Sequence, residues 1–370
     1  MNADFHYYAT YCAAILSGYS HKESLVISAA DAFTDICSKT LLSKLKAPQA
    51  AATTQLQLEL MDARTDISGL QDITRIWASF HFLPYDLTAE PPMRCSKRYK
   101  EKYRLICNPN GSLVAKTVEL AKGKSLEAVG IAMHVLCDTW AHRYFAGTPS
   151  LVINNPYNRF TELIPDGDGF TKRNITFRHS VSAPDDLEKS IYTASIYVNS
   201  ENSIMNLGHG RAGHLPDYAY IRYQYLPAWG NYEEITKDNP SDYRHAFAQM
   251  VYAMKYLRGT QSEFKLATYD TDSVSSIESE LTQILNKRQL NAEDDWKALG
   301  EKLSGQAVTA FDSNAPQTEY LSAADKENTF IGRYIAAALA QKSMVTNQIY
   351  TSGSKLAGKS IYKKNKEEKV

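Results

Sequence analysis

HVLCDTWAH, residues 134–142, places His134, Asp138 and His142 at every fourth position. The surrounding segment, Ser125 to Phe145, is apolar enough to read as a helix. On a helix, four residues turn through about 400°, so the three side chains share one face with a drift of about 40° per step. The stripe is about 12 Å long, which exceeds the span of three ligands on one ion. It suits a metal cluster, or two ligands plus a carboxylate that orients a histidine. The alternative is a pair of hydrogen-bonded core histidines, because Met133, Val135 and Trp140 lie close by.

Outward from this stretch the pattern stays helical. Tyr7 to Leu16 and a segment opened by the Ser20/Glu23 capping box, running through Cys37, form a hairpin broken at Gly18. Ile67–Phe80 and Leu113–Lys122 are further helices, as are 241–258, 272–287, 293–304 and 322–346. QLQLELM, residues 55–61, alternates like a short strand, and Tyr85 to Pro109 reads as a basic loop. Residues 148–186, punctuated by Pro, Asn, Gly and Asp, form an irregular insertion, and 187–207 is open between strand and helix. The fold class is therefore mainly α: a multi-helix, bundle-like single domain over 1–350 with an irregular, partly β insertion, then a flexible basic tail over 351–370.

Composition narrows the function classes. The 370 residues carry 41 basic and 41 acidic side chains, so no global charge argues for nucleic acid and an anionic partner must meet a local patch. No apolar run reaches the roughly 18 residues of a membrane helix, and MNADFHYYAT lacks a signal peptide's basic start and apolar stretch. The expected location is cytoplasmic, or outside the cell by a route without a cleaved signal. Five scattered cysteines, with Cys12, Cys37 and Cys137 in apolar settings, read as reduced core thiols.

Two other blocks hold histidines in acidic company. LGHGRAGHLPDY, residues 207–218, places His209, His214 and Asp217 in a glycine-rich loop, with Arg211 between the histidines as a charged fork for an anion. DFHYYATYCAA supplies Asp4 and His6, and ISAADAFTDIC supplies Asp31 and Asp35; Asp31 in such apolar surroundings needs a partner, and a cation is one answer. His81, in SFHFLPY, is a further ligand or a satisfied core residue. The expected metal residues are His6, His81, His134, Asp138, His142, His209, His214 and Asp217, with zinc, one to three ions, as the metal that suits them. Asp31, Asp35 and Arg211 are the expected catalytic groups: a carboxylate to bridge metals or orient water, and a cation to stabilise added negative charge. A di-iron site is disfavoured, because no Glu stands three residues before these histidines.

These blocks resemble an uncharacterised bacterial family that shares all three over about the first 230 residues. More loosely, they are similar to the superfamily of zinc-dependent phospholipase C and single-strand-specific nucleases. That second resemblance implies a mainly helical phosphodiester hydrolase with a trinuclear zinc cluster. His134 and Asp138 match its His-x-x-x-Asp helix, and His142 its following histidine. The superfamily's His-x-x-x-Glu pair is missing, with His209, His214 and Asp217 as replacements. Its N-terminal amine ligand falls to Asp4 or His6. The implied substrate is a phospholipid or a nucleic acid, and a toxin-like effector or defence protein with a regulatory or immunity-type partner is one context. The rival is a non-enzymatic interaction protein with structural histidines or a structural metal.

Two motifs are set aside. GSKLAGKS, Gly353 to Ser360, fits the phosphate-loop expression but lacks room for the following helix and sheet. MRCSKRYKEKYR, Met93 to Arg104, interleaves basic residues with tyrosines and reads either as a polyanion contact or as a solvated loop.

Overall fold

The computed structural model describes residues 1–157, 159–179, 184–194 and 199–359. Its centre is helix α8, Leu126–Ala141, opened by the Ser125 hydroxyl, which accepts from the Ala128 amide. Every residue from Glu127 to Ala141 is buried. A helix covered on all sides needs neighbours on all sides. They are α2 (His21–Phe33), α5 (Ile67–Phe80), α7 (Ser112–Ala121), α9 (Asn239–Arg258) and α14 (Phe330–Thr351). The N-terminal segment packs on α2 and α9; it begins with a π turn, Phe5–Ala9, and continues as α1, Thr10–Leu16. In that turn the Thr10 amide reaches back to the Phe5 carbonyl, one residue further than in an α-helix.

The mainly helical class holds, with fourteen α-helices and a small β portion among the described residues. Six of the remaining helices are short or peripheral: α3 (Lys39–Lys44), α4 (Gln57–Ala63), α6 (Lys97–Tyr103), α10 (Thr271–Ser275), α11 (Glu278–Asn286) and α13 (Asn314–Ser322). The twelfth, α12 (Glu293–Ser304), packs against the π turn and α1. Strands β1 (Thr161–Asp166) and β2 (Gly169–Asn174) form a hairpin in the expected insertion. β5 (Arg222–Tyr225) pairs with β1, Glu162 opposite Tyr223, and β6 (Ile235–Asp238) completes an antiparallel sheet of order β2-β1-β5-β6. A parallel pair, β3 (Thr176–Arg178) and β4 (Ile191–Thr193), lies beside it, so the described residues of 187–207 contribute a short strand and two single 3-10 turns.

Several local expectations change. QLQLELM is helical, not a strand: the Glu59 carboxylate accepts from the Leu56 amide, and only Leu60 of α4 is buried. Alternating leucines without a neighbouring strand have no ladder to join. The basic stretch contains α6, capped by Ser96, whose hydroxyl accepts from the Tyr99 amide. The segment 322–346 begins instead at Phe330, where Thr329 caps α14. The tail expected to be flexible from 351 is packed up to 359: Arg75 Nε donates to the Ala357 carbonyl and Gln71 Nε2 to that of Lys355. The rest of that tail, 360–370, lies outside the described residues. Cys12, Cys37, Cys107 and Cys137 are buried free thiols and Cys95 is an exposed one. No described helix is long and apolar enough to cross a membrane.

The contact between α2 and α8 sets the depth at which their polar side chains meet. Gly130 makes it possible. A methyl group there would come within 2.4 Å of the Ile27 carbonyl, 2.6 Å of the Ala30 methyl and 2.9 Å of the Asp31 amide. Gly130→Ala is therefore expected to force the two helices apart and lower stability by about 1–3 kcal/mol, as overpacking does. Urea denaturation checks this; an unchanged midpoint would show that the helix pair is not close-packed at this point.

Candidate metal centre

Five elements and the N-terminal Met1 deliver the polar groups to one cluster. α8 brings His134 and Asp138, and its C-cap is His142. α5 ends at His81, and the turn after α2 carries Asp35 one helical turn beyond Asp31. The π turn turns His6 inward, and Met1 brings its amino group. The loop after residue 207 adds His209 and Asp217. Its closure depends on Gly208, at φ 53°, where a Cβ would overlap the Phe82 ring at 2.1 Å. α9 fixes the far side of that loop: Asn239 Nδ2 donates to the Leu215 and Tyr218 carbonyls, and the Tyr243 hydroxyl donates to that of Asp217. Lys237 Nζ donates to the Trp140 carbonyl, a cation at the α8 C-terminus.

The histidines share one arrangement. Asp31 Oδ1 lies 2.7 Å from His6 Nδ1 and 3.0 Å from His134 Nδ1. The Thr53 carbonyl lies 3.0 Å from His81 Nε2, the His81 carbonyl 2.7 Å from His142 Nδ1, and the Gly213 carbonyl 2.7 Å from His209 Nδ1. Each of these oxygens accepts an N–H from one ring nitrogen, which leaves the other nitrogen of a neutral ring free to ligate a metal ion. All five of these second nitrogens face Asp35, Asp138 or Asp217.

Their spacing is that of ligands. Two donors on a tetrahedral zinc, each about 2.1 Å from it, lie about 3.4 Å apart. His81 Nδ1, His134 Nε2 and Asp138 Oδ2 are 3.2–3.3 Å from one another, and Asp35 Oδ1 is 3.7 Å and 3.8 Å from the two nitrogens. A second set joins the Met1 amine, His142 Nε2 and Asp217 Oδ1 at 3.2–3.4 Å, with His209 Nε2 3.7 Å from Asp217 Oδ1. Between them, His6 Nε2 is 3.3 Å from Asp138 Oδ1 and 3.8 Å from Asp35 Oδ2. Asp35 and Asp138 thus each offer one oxygen to the first set and the other to the His6 position. His6 Nε2 is buried and has no hydrogen-bond partner, which a metal ion would remedy.

Charge in this cluster is held by mutual attraction against burial. Burial opposes ionisation of Asp138, but His142, the Met1 amine, His134 and His6 hold its carboxyl far below the usual range. Burial likewise opposes charge on His134, yet Asp138 and Asp35 lift it to about 10. The Met1 amine, against burial, is raised to about 11 by Asp138, Asp217 and Asp35. Burial pushes His209 down to about 4.

Of the expected residues, His6, His81, His134, Asp138, His142, His209, Asp217 and Asp35 come together. Asp31 stands behind them: one oxygen serves His6 and His134, and the other accepts from the Thr10 hydroxyl at 2.6 Å. It is fully buried, so its geometry is that of an orienting carboxylate rather than one that meets water. His214, with an exposed ring, meets the outer oxygen of Asp217 at 3.0 Å and the Tyr218 ring. Arg211 is buried in the same loop, where its Nη1 donates to Asn206 Oδ1 at 3.2 Å. Asp4 does not replace the amine: it caps the N-terminal segment and accepts from the Phe5 and Ala292 amides. The amine itself and the Thr53 carbonyl carry no side-chain signature, which is why sequence reading passes over them. Cys137, whose Sγ is 3.6 Å from His6 Nδ1, was legible only as core.

No curated protein and no solved structure matches the chain. A family model does, over residues 1–349. That span includes every residue of the cluster, and the chain belongs to the family of unknown function DUF6765.

Proposed function

We propose that this protein is a metal-dependent hydrolase of phosphodiesters, with one to three zinc ions held by the two ligand sets and the His6 position between them. The observation that carries the metal is the common arrangement of five histidines, each with one nitrogen tied to an oxygen and the other aimed at a carboxylate. The His134/Asp138/His142 stripe supports the looser similarity to the phospholipase C and nuclease superfamily. Bound zinc would supply a Lewis acid for a phosphoryl oxygen and acidify a coordinated water.

The protein groups have separable tasks. Asp31 fixes the tautomer and ring orientation of His6 and His134 together, since both donate to one of its oxygens. Asp138 is buried at the centre and supplies fixed negative charge to both halves. Asp35 is 39% exposed, against 1% for Asp138, and is the carboxylate placed both to bridge the ions and to orient entering water. In this proposal Arg211, held on Asn206, supports the loop. The near-complete burial of the other ligands favours a second reading, a structural metal in an interaction protein.

Elemental analysis of purified protein is expected to show about two or three zinc equivalents, reduced by His134→Ala and His81→Ala with helicity retained. Zinc-free wild type after zinc is supplied would end the hydrolase reading. Asp35→Asn separates the two readings. Because Asp35 is also a ligand, the comparison is made at equal zinc content, where the variant should lose about 10²–10⁴-fold in hydrolysis of bis(p-nitrophenyl) phosphate. A zinc-loaded wild type without phosphodiesterase activity would favour the structural metal.

Metal uptake should release protons. Without metal, His134 and the Met1 amine hold protons at pH 7–8, because their values are raised to about 10 and about 11. A metal ion must expel these protons, so zinc affinity is expected to fall as pH falls. Calorimetry in buffers of different ionisation enthalpy reads the proton count directly; a heat independent of buffer would contradict it.

A further inference from the structure

Two motifs singled out in the sequence lie outside the metal centre, and the fold brings them to one place. The turn after α14 contains GSKLAGKS; the basic stretch contains α6. A cavity of about 680 Å³ lies between them and α5. Its polar lining is Lys97, Arg98 and Lys102 from α6, Lys355 from the turn, Gln71 from α5, and Asn202. Leu70 and Leu356 give it an apolar wall.

The glycines of GSKLAGKS have a use here that is not that of a phosphate loop. Gly353 sits at φ 90°, which a side chain would strain, and starts the turn. Gly358 lets the chain lie on α5: a Cβ there would be 2.8 Å from Arg75 Nη2 and 3.0 Å from Gln71 Oε1. Lys359, the lysine of the motif, lies over the Tyr350 ring at 5.9 Å. Lys355, from the middle of the motif, is the one that reaches the cavity.

The lining is unbalanced in charge. Glu101 is its acidic residue, 3.9 Å from Lys97. Lys102 is buried and already held by the Pro149 carbonyl and by Glu201. Arg98 and Lys355 form no ion pair with any described residue, and both face the same concavity as amide and apolar groups. Cations over a concave, half-open and partly apolar wall are suited to a phosphate attached to a compact organic group. A duplex or a flat bilayer would present its phosphates to an open face instead.

We propose that this cavity binds a phosphorylated small molecule, with its phosphates between Arg98 and Lys355 and its organic part against Leu70 and Leu356. The site is independent of the metal centre. Its test is calorimetric titration of the full chain with inorganic pyrophosphate, repeated on Arg98→Gln/Lys355→Gln and on Arg98→Lys/Lys355→Arg. Both replaced residues are exposed, so these variants should fold.

Wild type is expected to bind. The glutamine pair should bind about tenfold or more weakly, as loss of charged hydrogen bonds implies, and the charge-conserving pair should bind better than the glutamine pair. Zinc content read on the same samples should be equal in all three, which keeps this site's failure distinct from that of the metal centre. Equal pyrophosphate binding in wild type and the glutamine pair would overturn the proposal, as would none at millimolar concentration. A single-stranded oligonucleotide and phosphatidylserine vesicles form the other arms. Binding of either through Arg98 and Lys355, without pyrophosphate binding, would also overturn it in favour of a macromolecular docking face.

Discussion

A carboxylate buried where no water can solvate it must be surrounded by positive charge or donors, and Asp138 is such a group at the middle of this molecule. It is 1% exposed, and His6, His81, His134, His142 and the Met1 amine all lie within 3.5 Å of its oxygens. None of those groups would be tolerated in a helical core alone. Together they allow a polar cluster inside a bundle, and they require the N-terminal segment, α2, α5 and α8 to meet at one depth. The core is thus arranged around a constraint that apolar packing alone would not impose. A partly satisfied network of this kind destabilises a fold, whereas a completed one specifies a single arrangement.

The same reasoning explains the division of labour among the acids. Asp31 and Asp35 are one helical turn apart, yet Asp31 is sealed and Asp35 meets solvent. The difference arises from where α2 ends, at Phe33: Asp31 still faces α8, whereas Asp35 lies in the next turn. Residues of one type, near in sequence, therefore reach the cluster from opposite sides. One is placed to hold ligands in orientation, the other to face what enters.

Much of this was legible in the sequence because the cluster uses residue types that are unusual in apolar helices. His134, Asp138 and His142 stood out by spacing, and His209 and Asp217 by their glycine-rich setting. Ile67–Phe80 was legible to the residue because its apolar period is strong and its ends are marked. The misses have physical causes. The α4 segment alternates like a strand, but local capping by Glu59 decided its state, and periodicity does not register a cap. β5 is short and is specified by pairing with distant β1, a non-local contact, and β6 in turn pairs with β5. Asp31 was correctly expected to need a partner, but which side of it that partner would occupy depends on the angle between α2 and α8. The Met1 amine was invisible because every chain has one.

The π turn at Phe5–Ala9 sets where the N-terminal ligands point. A π turn is an α-helix with one residue added, and the addition rotates the chain on its N-terminal side by roughly 100° relative to the chain on its C-terminal side. His6 lies within the wide turn and Thr10 donates its closing bond, yet both contact Asp31. A chain one residue shorter here would keep the helix beyond the turn while presenting His6 elsewhere. The segment between His6 and Thr10 is therefore tuned in length more than in composition, and a codon gained or lost there would uncouple the cluster without unfolding the bundle.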